Sequence, residues 1–224
     1  MIAIIGILAA ILLVSVGNVR QSAQQTKAMN NMRQLHTAVM LYTQDHNGMI
    51  PLGDAGADGA GLGGRGLIWI NAIAKYLELD HHELDENGFG DTPTSTGRGW
   101  DDLETIFADA AFVCTAWLAD PAEIQRTKDT TPDPIGGIGY NIDTGAGRNA
   151  SWGSPADPIP LMSVTEPSNR IIFASSYDWY LGWGETRRAY NRFGTNKALA
   201  VYWDGHAASV DRETYDAGVR PERR

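Results

Sequence analysis

The sequence predicts an α+β fold: one long amino-terminal helix laid against a small antiparallel sheet with irregular loops. Three observations carry this. The first 45 residues contain no helix breaker and pass from wholly apolar to amphipathic. The last third holds two apolar β-type runs, and an Asp-Gly pair follows the second. Between these ends the chain is rich in glycine and proline, which rules out long regular elements there.

The helix comes first in the chain. Residues 2–14 read Ile-Ala-Ile-Ile-Gly-Ile-Leu-Ala-Ala-Ile-Leu-Leu-Val, and the first charge is Arg20. Beyond it Met32, Leu35, Val39 and Tyr42 recur at spacings of three and four, one face of a helix, with Arg33, Gln34, Thr37 and Gln44 between them. At ~1.5 Å per residue a helix of this length is roughly 65 Å long, and its front half needs lipid or other apolar helices. The basic groups follow the apolar run, so the positive-inside rule alone places the head in the cytoplasm, and an upstream basic segment would reverse that. His46 to Pro51 ends the helix, with Gly48 as the expected left-handed cap. The expected division is 1–47 for the membrane or filament helix and 48–224 for the head.

Residues 53–64 form a glycine-rich loop. It lacks Gly-Lys-Ser/Thr and no strand precedes it, which excludes a phosphate-binding loop. Leu67 to Leu79 reads as a short helix with Leu67, Ile70, Ala74 and Leu77 on one face. Asp101 to Glu104 resembles a capping box, and 112–117 reads as a short strand. Ile138 to Asn141 is a brief extended segment. Arg170 to Ser175 and Ala198 to Trp203 are apolar strands. Asp204-Gly205 supplies a turn that tolerates positive φ, and His206 to Val210 returns as the paired strand.

The net charge of −9 is uneven. Arg20, Lys27, Arg33 and Asp45 give the helix +2, which leaves −11 on the remainder. An acidic head argues against nucleic acid as a partner, since phosphate binding needs clustered Lys and Arg. The single cysteine, Cys114, excludes an internal disulfide and a Cys-based zinc cluster, and its apolar surroundings in sequence read as a buried inert thiol.

Other chemistry is weaker. Seven tryptophans is a high number for 224 residues. Trp179 and Trp183 with Tyr177 and Tyr190 offer an aromatic surface for a sugar polymer, against ordinary core packing. His81, His82, Glu83 and Asp85 are metal-capable but sit in a polar stretch without a separated third ligand, and read as solvated. No cofactor is expected. Asp54 and Asp58 could offer oxygens to Ca²⁺, though without EF-hand spacing. Ser, His and Asp show no triad spacing.

Ile4, Ile5, Gly6, Ile7, Leu8, Ala9, Ala10, Ile11 and Leu12, with the rest of that run, closely resemble the amino-terminal helix of type IV pilins and type II secretion pseudopilins. Met29 to His36, then Tyr42 to Gly48 and Pro51, resemble one large bacterial branch with prepilin-type processing and a carboxy-terminal motif of His, nine residues, Asp-Gly. Phe112 to Cys114, Gly139 to Asn141, Pro167 to Phe173 and Asn196 with Asp204, Gly205 and His206 match in the same order. The sequence departs from the pattern in four ways. Phe193 stands nearest the motif histidine, with ten residues rather than nine between it and Asp204; Val14 and Thr115 replace usual prolines; and Met1 falls inside the family's apolar helix, so the resemblance implies either a leader with its Gly–Phe processing site encoded upstream of Met1 or a copy that is not processed.

The resemblance implies a non-enzymatic, single-pass subunit of the bacterial inner membrane with its head outside the cytoplasm. It is then assembled through residues 4–12 into a periplasmic or surface filament. Its implied partners are other pilin or pseudopilin subunits, the inner-membrane assembly machinery, a prepilin peptidase and the lipid bilayer. Gly6, Ala9 and Ala10 would allow close helix approach. The alternative expectation is a single-pass anchored protein whose Trp-rich head binds extracellular polysaccharide.

Overall fold

In the computed structural model, described here for residues 2–51, 69–77, 137–141, 159–177, 180–181, 189 and 196–219, the first element is α1, Ile2–Asp45, a continuous helix of 44 residues. Within α1 the surroundings of side chains are described from Gly17 onward, Asn18 excepted. Further on come α2 (Trp69–Ala74), extended by a 3₁₀ turn at Lys75–Leu77, then β1 (Ile138–Asn141), β2 (Ile171–Ser175), β3 (Tyr180–Leu181), β4 (Ala198–Tyr202), β5 (Ala207–Val210) and α3 (Arg212–Val219). A second 3₁₀ turn, Leu161–Ser163, precedes β2. The expected capping box, the strand at 112–117, the glycine loop and Cys114 lie outside the described residues.

The helix ends close to the predicted place, by a slightly different device. Asn47 (φ 55°) is the first left-handed residue and Gly48 (φ 81°) the second. The Gly48 N–H reaches back to the Thr43 carbonyl at 2.8 Å, the six-to-one closure that satisfies a terminal carbonyl. The chain then pairs with 159–161: Ile50 N–H donates to Ile159 O, and Leu161 N–H to Gly48 O. Tyr140 adds a tie from its hydroxyl to the Pro51 carbonyl at 2.9 Å.

The sheet has the order β3-β1-β2-β4-β5. The pairings β1–β2, β2–β4 and β4–β5 are antiparallel, and the two-residue β3 runs parallel to β1. The β4–β5 hairpin is the one the Asp-Gly signal predicts, in the register Ala198↔Val210 to Val201↔Ala207. Gly205 N–H donates to Tyr202 O and Tyr202 N–H to His206 O, with Gly205 at φ +88°. The loop is thus three residues long, closed by a left-handed glycine.

One face of the sheet holds Ile138, Tyr140, Ile172, Phe173, Leu199, Val201 and Trp203 against Met32, Leu35, Ala38 and Val39 of α1 and Trp69, Ala72 and Ile73 of α2. Trp69, Tyr140 and Phe173 form a compact ring cluster with centroids 5.2–5.4 Å apart. On α2 the described buried face is therefore Trp69, Ala72 and Ile73, with Tyr76 and Leu77 packed beside it. Of the face predicted from Leu67, Ile70, Ala74 and Leu77, Leu77 packs beside this core, and the side chains of Leu67, Ile70 and Ala74 lie outside the described residues.

The opposite face of the sheet is covered as well. Ile171, Ala174, Leu181, Ala198, Ala200, Tyr202 and Val210 pack with Tyr215 and Val219 of α3. Strand β4 alternates strictly between the two clusters. Strand β2 does not: a register shift between Ile171 and Phe173 sends both Ile172 and Phe173 to the α1 side. Such an extra residue re-aims side chains without breaking the strand.

Helix α3 has no counterpart in the sequence reading. Asp211 caps it, its Oδ1 accepting the Thr214 N–H at 2.9 Å. Asn141, wholly buried, donates from Nδ2 to Ile171 O at 2.8 Å and Val219 O at 3.3 Å, joining β1, β2 and the end of α3. Gly218 makes this approach possible, because a Cβ there would lie 2.7 Å from the Ile171 side chain.

Candidate functional site

The candidate site is α1 together with the seat that holds it. Burial along the described part of the helix begins at Ala28 and continues through Asn31, Met32, Leu35, Ala38, Val39 and Thr43. From Gly17 to Lys27 no described side chain is buried, and Val19 is 68% exposed. The helix therefore runs on past its seat. From Ile2 to Lys27 it extends about 39 Å at 1.5 Å per residue. Ile4, Ile5, Gly6, Ile7, Leu8, Ala9, Ala10, Ile11 and Leu12 all lie in this extension as helix, while the surroundings of their side chains lie outside the described residues. Among the described residues, no helix is long and apolar enough to cross a membrane.

The seat has a polar lock as well as an apolar surface. His36, half-buried on α1, places Nε2 3.1 Å from the Trp203 carbonyl, 167 residues away in sequence. Gly205, two residues beyond Trp203, lies beneath the same ring: a Cβ there would stand 3.1 Å from His36 Cε1. Glycine is thus required twice, for its left-handed backbone and for the room it leaves to the imidazole. Trp203 is buried beside Tyr140, so the carbonyl that meets His36 is fixed by the core.

Asp204 and His206 occupy the other side of the turn. The Asp204 carboxylate accepts the His206 backbone N–H at 3.0 Å and its Nδ1–H at 2.6 Å, and the imidazole stacks on Tyr202 at 4.0 Å. Partial desolvation pushes the Asp204 pKa up, but the two hydrogen bonds and the charge of His206 outweigh it and hold the carboxyl below its ordinary value. Burial raises the Tyr202 hydroxyl, and the Asp211 and Asp204 carboxylates raise it further. Both Asp204 and His206 are exposed, and among the described residues no hydroxyl or thiol hydrogen-bonds to the imidazole. The pair closes a turn, as an aspartate that accepts from the N–H two residues on does.

Of the sequence-predicted head residues, the structure brings Asp204, Gly205 and His206 together and adds His36 to them. Asn196 is elsewhere: it precedes β4 at the end away from the turn, at φ 54°, a conformation asparagine tolerates better than most residues. Asp54, Asp58, His81, His82, Glu83 and Asp85 lie outside the described residues, and among the described ones no group of three His, Cys, Asp or Glu side chains could hold a metal. Trp69 and Trp203 are core residues; Trp179 and Trp183 lie outside the described residues.

The lock itself escaped sequence reasoning because its partners are 167 residues apart and one of them is a backbone carbonyl. The α3 cap left a signal: Asp211 followed by Glu213 in the first turn is a helix-start pattern. No family model, curated protein or solved structure matches this chain.

Proposed function

We propose that this chain is a non-enzymatic, pilin-like structural subunit, held in a membrane and then assembled into a filament through the front of α1. The observation that carries this reading is a single unbroken helix whose described burial starts only at Ala28, preceded by a run with no charge before Arg20. A helix that serves only its own head would not continue about 39 Å past its seat. Left in water, each large aliphatic side chain of residues 4–12 would cost about 1.5–3 kcal/mol. That cost disappears in lipid and equally among copies of the same helix, so transfer between the two surroundings changes little hydrophobic free energy. The resemblance of residues 4–13 to pilin and pseudopilin helices points the same way, as does the acidic head, which is unsuited to nucleic acid.

The test uses the intact chain purified in detergent. Removal of detergent should give ordered filaments of uniform width by electron microscopy, and Ile7→Arg or Leu12→Arg should abolish them while the head keeps its near-ultraviolet circular dichroism. A wild-type chain that stays monomeric without detergent would overturn the proposal.

A further inference from the structure

We propose that His36 is a positioning residue that fixes the direction of the projecting part of α1 relative to the sheet, by locking into the notch made by the missing side chain of Gly205. Aliphatic packing alone is a permissive fastening. Met32, Leu35, Ala38 and Val39 meet the sheet through non-directional contacts, which tolerate small rotations and slides of a helix over strands. His36 is different. Its Nε2 must point at one carbonyl, that of Trp203, at 3.1 Å. Its ring edge fits where a Cβ on Gly205 would stand 3.1 Å from Cε1 and 3.5 Å from Nδ1. The carbonyl is held in turn by the buried Trp203 ring and by the Trp203 N–H, which donates to Arg170 O at 2.9 Å. The far side of the turn is stiffened by Asp204, which accepts two hydrogen bonds from His206, and by the stacking of His206 on Tyr202. A directional bond, a shaped recess and a braced turn thus meet at one point on the helix.

Leverage gives this point its importance. The helix extends about 39 Å beyond Ala28, so a 5° change at the seat moves the tip by about 3 Å. That displacement is large compared with the sub-ångström fit that packed interfaces hold. The lock stands as a property of the single chain. Its consequence, that subunits assemble in a uniform geometry, rests on the filament reading above.

The lock is tested with the full chain in detergent. Spin labels are placed at Ala23 and Ser209, both exposed, in a background carrying Cys114→Ser. The distance distribution should be narrow with His36 present. His36→Ala should broaden it or move its mean by several ångströms, and His36→Gln, whose amide can still donate to the Trp203 carbonyl, should bring it back towards the narrow form. An unchanged narrow distribution in His36→Ala overturns the proposal. If His36→Ala loses the head fold, His36→Gln decides: a narrow distribution upholds the donor's role, and a broad one overturns it. The label pair reads single molecules, so the lock can hold even if filaments never form, and filaments can form even if the lock fails.

Discussion

Replacing Gly205 by alanine tests the seat in energetic terms. Two costs are expected. The backbone sits at φ +88°, and a left-handed conformation costs a residue with a Cβ about 1–2 kcal/mol. The new methyl also meets His36 Cε1 at 3.1 Å, so the imidazole must retreat by a few tenths of an ångström and weaken its bond to the Trp203 carbonyl. A hydrogen bond of this kind contributes a net ~0.5–1.5 kcal/mol. Together Gly205→Ala should cost about 1.5–3.5 kcal/mol, or roughly 3–14 °C in melting temperature for a chain of this size.

The two costs separate in a double-mutant cycle. With His36→Ala already present, only the backbone cost remains, so the double variant should be more stable than additivity predicts by about 0.5–1.5 kcal/mol. Gly205→Asn is the complementary control, since asparagine tolerates positive φ but carries the same Cβ. Its effect should arise mostly from the contact with His36 and should largely vanish beside His36→Ala. The measurements are urea or thermal unfolding in a fixed detergent, followed by circular dichroism. Additive energies within ~0.3 kcal/mol would refute the claim that Gly205 and His36 share one space.

Two further outcomes follow from the same structure. Asn141→Ala should destabilise the head by about 1–3 kcal/mol for each buried donor it removes, and amide exchange should rise first in α3, whose last carbonyl it holds. Stability should also fall in acid with a defined sign. Asp211 is held below its ordinary pKa, chiefly by the Thr214 backbone N–H, and Asp204 by its bonds from His206 overcoming desolvation. A lowered folded-state pKa means that the unfolded chain takes up protons first. The contribution of these groups is therefore complete above about pH 4 and is lost as pH falls through the folded values. Urea midpoints should be insensitive to these two groups at neutral pH and should drop below about pH 4. Asp204→Asn and Asp211→Asn should each flatten that drop, and an unaltered slope would contradict the assignment.

Much of this architecture can be read from the residues. Met32, Leu35, Val39 and Tyr42 announce the seated face of α1 by their spacing, and three of the four are fully buried, with Tyr42 half-buried. Asp204-Gly205 between two β-rich runs announces the hairpin, because few other dipeptides accept positive φ at the second place. The covered outer face of the sheet leaves a sequence signal too. Ile171 to Ala174 and Ala198 to Tyr202 are apolar throughout rather than alternating, which is what strands between two layers require. The residue-level site was not legible, since the partner of His36 is a carbonyl whose position depends on the whole sheet. Nor does the bulge in β2 carry a periodic signature: the shift at Ile172 has no glycine or proline to mark it.

Two separate apolar clusters lie back to back on the same strands. Among the described residues, the rod is fastened on one of them, and α3 closes the other. Surface variation on the α3 side can therefore accumulate without disturbing how the rod is mounted. A lineage could redecorate that outer wall, altering what the head presents to its surroundings, while the mount on the inner wall stays the same.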